Sequence, residues 1–165
     1  MRKTWLEKLE DKKTLPKVLE LEKRFPCYRA VQKMGAEVGD PVILVNASEI
    51  IPIMAEIPKG KLITILEICQ IIANKHKVIA CCSLTTGIFI MTTANAVEEA
   101  ITKGEKSALA KIPYWRTVKA KGFLNEKYPG GAERHKKLLE KEGFKVITRG
   151  KKYQVADFEK YLLVL

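Results

Sequence analysis

The apolar positions of the first 24 residues form two short groups, Trp5, Leu6 and Leu9, then Val18, Leu19 and Leu21, on either side of Pro16. Proline lacks the backbone donor that a helix interior needs, so this pattern predicts a short amphipathic segment, a break, and an extended second group. "PVILVN" at 41–46 is β-branched and apolar and reads as a strand. "ASEIIPIMAEI" follows it, with Ser48 placed to cap a helix whose first turn tolerates Pro52. "PKGK" at 58–61 is a turn, and Thr64 precedes "ILEICQIIANKH", where Leu66, Cys69, Ile72 and Ala73 recur at helical spacing. "KVIACC" reads as a strand or a tight link. Ser83 is then placed to cap a second long helix over residues 84–100, small-sided because of its threonines at 85, 86, 92 and 93 and Gly87. Two helices joined so closely predict a helix-turn-helix. Further on, Pro129, Gly130 and Gly131 form a loop leading into "AERHKKLLEKEG", with Leu138 and Leu139 on its apolar face and Gly143 as its stop. "KVITRGKKYQV" carries two strand-like runs around Gly150, the pattern of a hairpin.

Composition bounds the answer. A chain of 165 residues, 47% hydrophobic and 30% charged, suits one soluble globular unit. No apolar run approaches the roughly 20 residues of a membrane span, and the N-terminus has no signal-peptide pattern, so a cytoplasmic protein is expected. The four cysteines, Cys27, Cys69, Cys81 and Cys82, make no CxxC pair, and the two histidines, His76 and His135, are far apart. That argues against zinc and against a disulfide framework, and it leaves no cofactor to expect. The formal charge of +11 lies at the two ends: residues 119–152 carry eleven Lys/Arg against four Asp/Glu, residues 1–33 ten against five, and the middle is balanced. Localised basic excess attracts polyanions, and nucleic acid above all, because phosphate neutralisation releases counterions.

Four blocks in order, "IPKGKLITILEI", the small-sided helix, "IPYWRTV" and "YPGGAERHKKLLEKEG", resemble the DNA-binding domain of the alkylguanine-DNA alkyltransferases, also called methylated-DNA–protein-cysteine methyltransferases. The likeness covers roughly residues 49–146. It implies an α+β fold built on a winged helix-turn-helix, preceded by an N-terminal arm and strand (1–48) and followed by a C-terminal hairpin and tail (147–165). In that family the motif is Pro-Cys-His-Arg. The cysteine takes an alkyl group from a flipped guanine, and a histidine oriented by a distant glutamate helps form its thiolate, the competent nucleophile.

Here the cysteine position is Tyr114 and the histidine position is Trp115, while Arg116 remains and Glu142 stands where the orienting glutamate would be, with nothing to orient. A phenol with a pKa of about 10 and no base beside it is a poor alkyl acceptor. The resemblance therefore points to the alkyltransferase-like subgroup, which lacks the acceptor cysteine and binds alkylated guanine without repairing it. The family's nucleotide-rotating tyrosine is Ile65 here, and residues 78–102 hold no Lys or Arg to act as the family's arginine finger. Extruding a base costs a few kcal/mol that these residues would have helped to offset.

Read this way, no residue is catalytic and no metal is bound. Tyr114, Trp115, Arg116, Tyr128, Pro129, Gly130, Gly131 and Glu142 would surround what remains of the lesion pocket, although the aromatics read equally well as core filling. Thr85, Thr86 and Gly87 would approach the groove of double-stranded DNA, and Lys119, Lys121, Lys127, Arg134 and Lys136 would neutralise phosphates. Two alternatives stay open. One is a methyltransferase with a relocated acceptor at Cys81 or Cys82, activated by the dipole of the following helix. The other is a structural or regulatory module that contacts DNA generally, or a protein partner through its N-terminal arm.

Overall fold

The structure is a computed structural model that describes residues 2–10 and 15–163; "DKKT" of the arm (11–14), Met1 and the last two residues of the tail lie outside them. The two apolar groups of the arm become helix α1 (Trp5–Glu10) and strand β1 (Lys17–Glu20), followed by a short helix α2 (Tyr28–Lys33). The β-branched run becomes strand β2 (Pro41–Leu44), the middle of a three-stranded sheet. It pairs antiparallel with β1, with Val18 opposite Ile43, and parallel with strand β4 (Ala80–Cys81), with Ile43 opposite Cys81. The arm is thus hydrogen-bonded to the link between the two long helices, and the sheet crosses position 48.

Helix α3 (Ala47–Ala55) starts earlier than the sequence pattern suggests. Its cap is Asn46, whose side-chain oxygen accepts from the Ser48 amide at 3.0 Å, and Pro52 accordingly sits past the first turn. Strand β3 (Ile63–Thr64) leads into helix α4 (Ile65–His76), whose Thr64 cap is reciprocal: the Thr64 amide donates to Glu67 at 2.9 Å and the Glu67 amide donates to the Thr64 hydroxyl at 3.3 Å.

Helix α5 (Ser83–Thr102) is capped not by Ser83 but by Cys82, whose sulfur accepts from the Thr85 amide at 3.5 Å. This helix runs through the centre of the protein and packs against α1, α3 and α4. Its small side chains serve that packing. Thr86, Thr92, Thr93, Ala94, Ala96 and Ala100 are buried, and Thr92 and Thr93 donate their hydroxyls to the carbonyls of Ile88 and Phe89 at 2.8 and 2.7 Å. Back-bonding of this kind lets threonine enter a core without an orphaned polar group.

Strand β5 (Thr117–Val118) pairs parallel with β3. Helix α6 (Gly131–Lys141) ends before Gly143, whose φ of +95° supplies the left-handed stop. Strands β6 (Val146–Arg149) and β7 (Lys152–Val155) form the expected hairpin around Gly150, and the chain then returns to bond Leu62 through the Tyr161 carbonyl. The largest core cluster joins Ile43 and Val45 to Ile50, Met54, Ile68, Ile72, Ile90, Val97, Tyr114 and Tyr128, so its contents come from both sides of position 48. A second cluster lies under the hairpin: Leu62, Val118, Leu124, Leu139, Phe144 and Val155. Among the described residues no helix is long and apolar enough to cross a membrane.

Candidate nucleic-acid interface

The "IPYWR" segment enters a 3₁₀ turn over Tyr114–Arg116 that is pressed between α5 and α6. Tyr114 is fully buried, and its hydroxyl donates to Glu98 Oε1 at 2.7 Å. Burial, and after it the Glu98 carboxylate, push the Tyr114 phenol above its ordinary range, which keeps the hydroxyl protonated as the donor to Glu98. The same carboxylate oxygen takes Arg134 at 3.1 Å. Tyr128 is 3% exposed, meets the Tyr114 ring edge-on at 5.3 Å, and donates its hydroxyl to the Thr117 carbonyl at 2.8 Å. Both tyrosines therefore have their rings inside the core and their polar tips satisfied, and no ring face is offered to an incoming base. Trp115, half-buried, meets Tyr114 edge-on at 5.4 Å.

Glu142 does have something to orient. It accepts from Arg116 Nη2 at 2.6 Å and Nε at 3.0 Å, and Arg116 Nη1 donates to the Ile57 carbonyl at 2.7 Å. This fork ties the 114–116 turn to the end of α6 and to the segment before β3. Burial opposes ionisation of Glu142, but Arg116, with the indole of Trp115 nearby, outweighs it and holds the carboxyl below its ordinary value. The Trp115 N–H itself makes no bond of good geometry. Pro129 and Gly131 are partly covered and Gly130 is exposed in a left-handed turn, φ +79°, at the start of α6.

His135 was not singled out by any motif, yet it joins the two halves of the site. Its Nδ1 accepts from the Asn125 amide at 3.0 Å, and its Nε2 donates to the Trp115 carbonyl at 2.8 Å, which defines a neutral ring protonated at Nε2. Burial pushes its pKa down to about 4. Its spacing of four from Leu139, on the apolar face of α6, was the available sequence signal.

An open cleft of about 500 Å³ lies beside α5, lined by Ile65, Ser83, Leu84, Gly87, Ile88 and Met91 on one side and by Lys119, Asn125, Glu126 and Lys127 on the other. Leu84 and Ile88, 49% and 57% exposed, stand on its helical wall. Of the three α5 positions expected at a groove, Gly87 lines this cleft, Thr85 is half-buried and donates to Cys82 sulfur at 3.4 Å, and Thr86 is wholly inside, bonded to Cys81 sulfur at 3.3 Å. Thr86 therefore cannot touch DNA in this conformation. Lys119 pairs with Glu126 at 3.2 Å, Lys127 and Lys121 are exposed, and Lys136 Nζ sits 4.9 Å from the centre of the Tyr153 ring. Arg134 is the one cation of the expected set held by Glu98, below Tyr114. Cys81 and Cys82 are buried, and contact with Cys69 together with burial pushes the Cys81 thiol up, the reverse of activation.

No protein-family model and no curated protein sequence matches the chain. Among solved structures, the crystal structure of S. pombe ATL in complex with DNA is similar, with a TM-score of 0.51 at 17% identity over 72% of this chain and 94% of that one. A crystal structure of S. pombe Atl1 in complex with damaged DNA containing O6-carboxymethylguanine aligns over the same shares, at 17% identity and a TM-score of 0.49. The first likeness shows the fold, an α+β architecture similar to that of S. pombe ATL.

Proposed function

We propose that this protein binds duplex DNA through the cleft beside α5 and transfers no alkyl group from it. The observation that carries the reading is the open cleft with Lys119 and Lys127 on its lip, in a fold otherwise seen with DNA, while Tyr114 is sealed in the core and hydrogen-bonded to Glu98. Lys121 and Lys136 extend the cationic rim, Gly87 permits close approach of backbone, and residues 49–146 form the DNA-binding unit. A link to DNA repair and a preference for alkylated guanine belong to the same reading. The preference is small, no more than about tenfold, because Tyr114 and Tyr128 are packed away and base extrusion costs a few kcal/mol without the residues that would offset it.

The test is binding of the purified protein to duplexes with and without one O6-alkylated guanine, at two salt concentrations, followed by intact-mass measurement. Weak, steeply salt-dependent binding and an unchanged mass are expected. Absence of binding at about 50 mM salt sinks the DNA reading, and a stoichiometric mass gain that disappears in Cys81→Ser or Cys82→Ser restores a relocated acceptor.

A second reading, a protein-docking module, has one observation in its favour. A mostly apolar cleft of about 370 Å³ separates the arm from α5, lined by Leu19, Phe25, Leu44, Cys82, Leu84 and Ile88. A protein that binds no DNA but loses a partner on Phe25→Ala would take this reading.

A further inference from the structure

We infer that the β6–β7 hairpin is a second phosphate-binding element, which extends the interface of the proposed DNA-binding cleft along the duplex backbone. The inference rests on the DNA reading above but concerns a segment that the alkyltransferase resemblance does not reach.

The register of the hairpin sets Arg149 directly opposite Lys152, with Gly150 and Lys151 forming the turn between them. Like charges directly opposite on paired strands are destabilising, and here a third cation is added at the tip. All three side chains are exposed. Arg149 Nε donates to the neutral Gln154 at 3.1 Å, and among the described residues none of the three is in an ion pair. A fold that concentrates cations outside any ion pair in this way is relieved by an anion from outside, and a cluster of three cations at a hairpin tip suits the closely spaced charges of a nucleic-acid backbone.

Position argues for the same partner. The hairpin is fixed to the strip of chain that leads into the cleft: the Leu124 amide donates to the Tyr153 carbonyl at 3.0 Å, Gln154 Nε2 donates to the Lys121 carbonyl at 2.7 Å, and Phe123 bridges Gln154. One residue beyond Leu124 begins the loop of residues 125–127 that forms the cleft wall. The Glu126 carboxyl on that wall is held low by its own backbone amide, then by Lys119 and, more weakly, by Lys152, so Lys152 reaches the field of the cleft mouth. Lys136 lies over Tyr153 and fills the interval between hairpin and α6. The hairpin cations are thus tied, through the Lys121 carbonyl and Leu124, to the segment that carries Lys119 and Lys127 at the cleft.

The experiment compares the full-length protein with the triple variant Arg149→Gln, Lys151→Gln, Lys152→Gln, and with a control triple of equal charge change away from the cleft and hairpin, Lys33→Gln, Lys106→Gln, Lys111→Gln. Affinity for an undamaged duplex is measured by fluorescence anisotropy across a salt series. Each lost phosphate contact lowers the slope of log K against log salt by about 0.9, so the hairpin variant should show a slope smaller by roughly 2 to 3, with the control unchanged. Equal slopes in wild type and hairpin variant, or an equal drop in the control, overturn the hairpin assignment while leaving the DNA reading in place. A wild-type protein that fails to bind overturns both.

Discussion

Lowering the pH from 8 to 5 should destabilise this protein partly through one side chain, His135. In the folded state its ring is neutral, because Nδ1 must stay free to accept from the Asn125 amide while Nε2 donates to the Trp115 carbonyl. Protonation would turn an acceptor into a donor facing a donor, inside the core. Burial accordingly brings its pKa down from the ordinary 6.5 to about 4. The unfolded chain takes up the proton more readily than the folded one, so this stabilisation is complete above pH 6.5 and is lost as the pH falls toward 4. From those two values the loss is about 1 kcal/mol at pH 6, about 2 at pH 5, and about 3 once the pH is below 4. Glu142, Glu49 and Glu126, held below their ordinary value of 4.5, add their own losses only at more acid pH, so the window from 6.5 to 5 isolates the histidine. Urea unfolding of wild type and His135→Gln, whose amide can still accept and donate but does not titrate, measures it directly. The difference between the two curves should change by about 2 kcal/mol between pH 8 and 5. Parallel curves, or a His135 pKa near 6.5 by NMR titration, refute the reasoning.

Two substitutions test the frame around the site. Glu142→Gln leaves the largely buried Arg116 guanidinium with only the Ile57 carbonyl as a full partner, and should cost about 3 kcal/mol in denaturant unfolding; a loss below about 1 would mean that the fork is not structural. Gly122→Ala places a side chain on a residue with φ +80° and 2.6 Å from Phe158 Cβ, so left-handed strain of about 1–2 kcal/mol and overpacking of about 1–3 should combine to lower the melting temperature by several degrees. An unchanged melting temperature would show that the tail gives way freely.

Local signals in the sequence determined a good deal. Thr64 and the apolar spacing after it place α4, Gly143 stops α6, and Gly150 between two β-branched or aromatic runs makes the hairpin, because in each instance the interacting groups are within a few residues of one another. The resemblance that sets Tyr114 and Trp115 against the alkyltransferase motif's cysteine and histidine was likewise drawn from the chain alone, as an expectation. Even at short range, however, the caps moved to Asn46 and Cys82, since which neighbouring side chain reaches an amide depends on the path by which the chain enters the helix. The small residues of α5 have the same appearance in sequence whether they meet a groove or a core; only the packing of α1, α3 and α4 around that helix decides that Thr86 faces inward. Glu142 meets Arg116 across 26 residues, His135 joins Asn125 to Trp115, and β2 pairs with a strand nearly 40 positions away, none of which periodicity can register. Such contacts become favourable only after the rest of the chain has removed water from them, and so tertiary structure decided that the tyrosines are sealed, that the histidine is neutral, and where the open cleft lies.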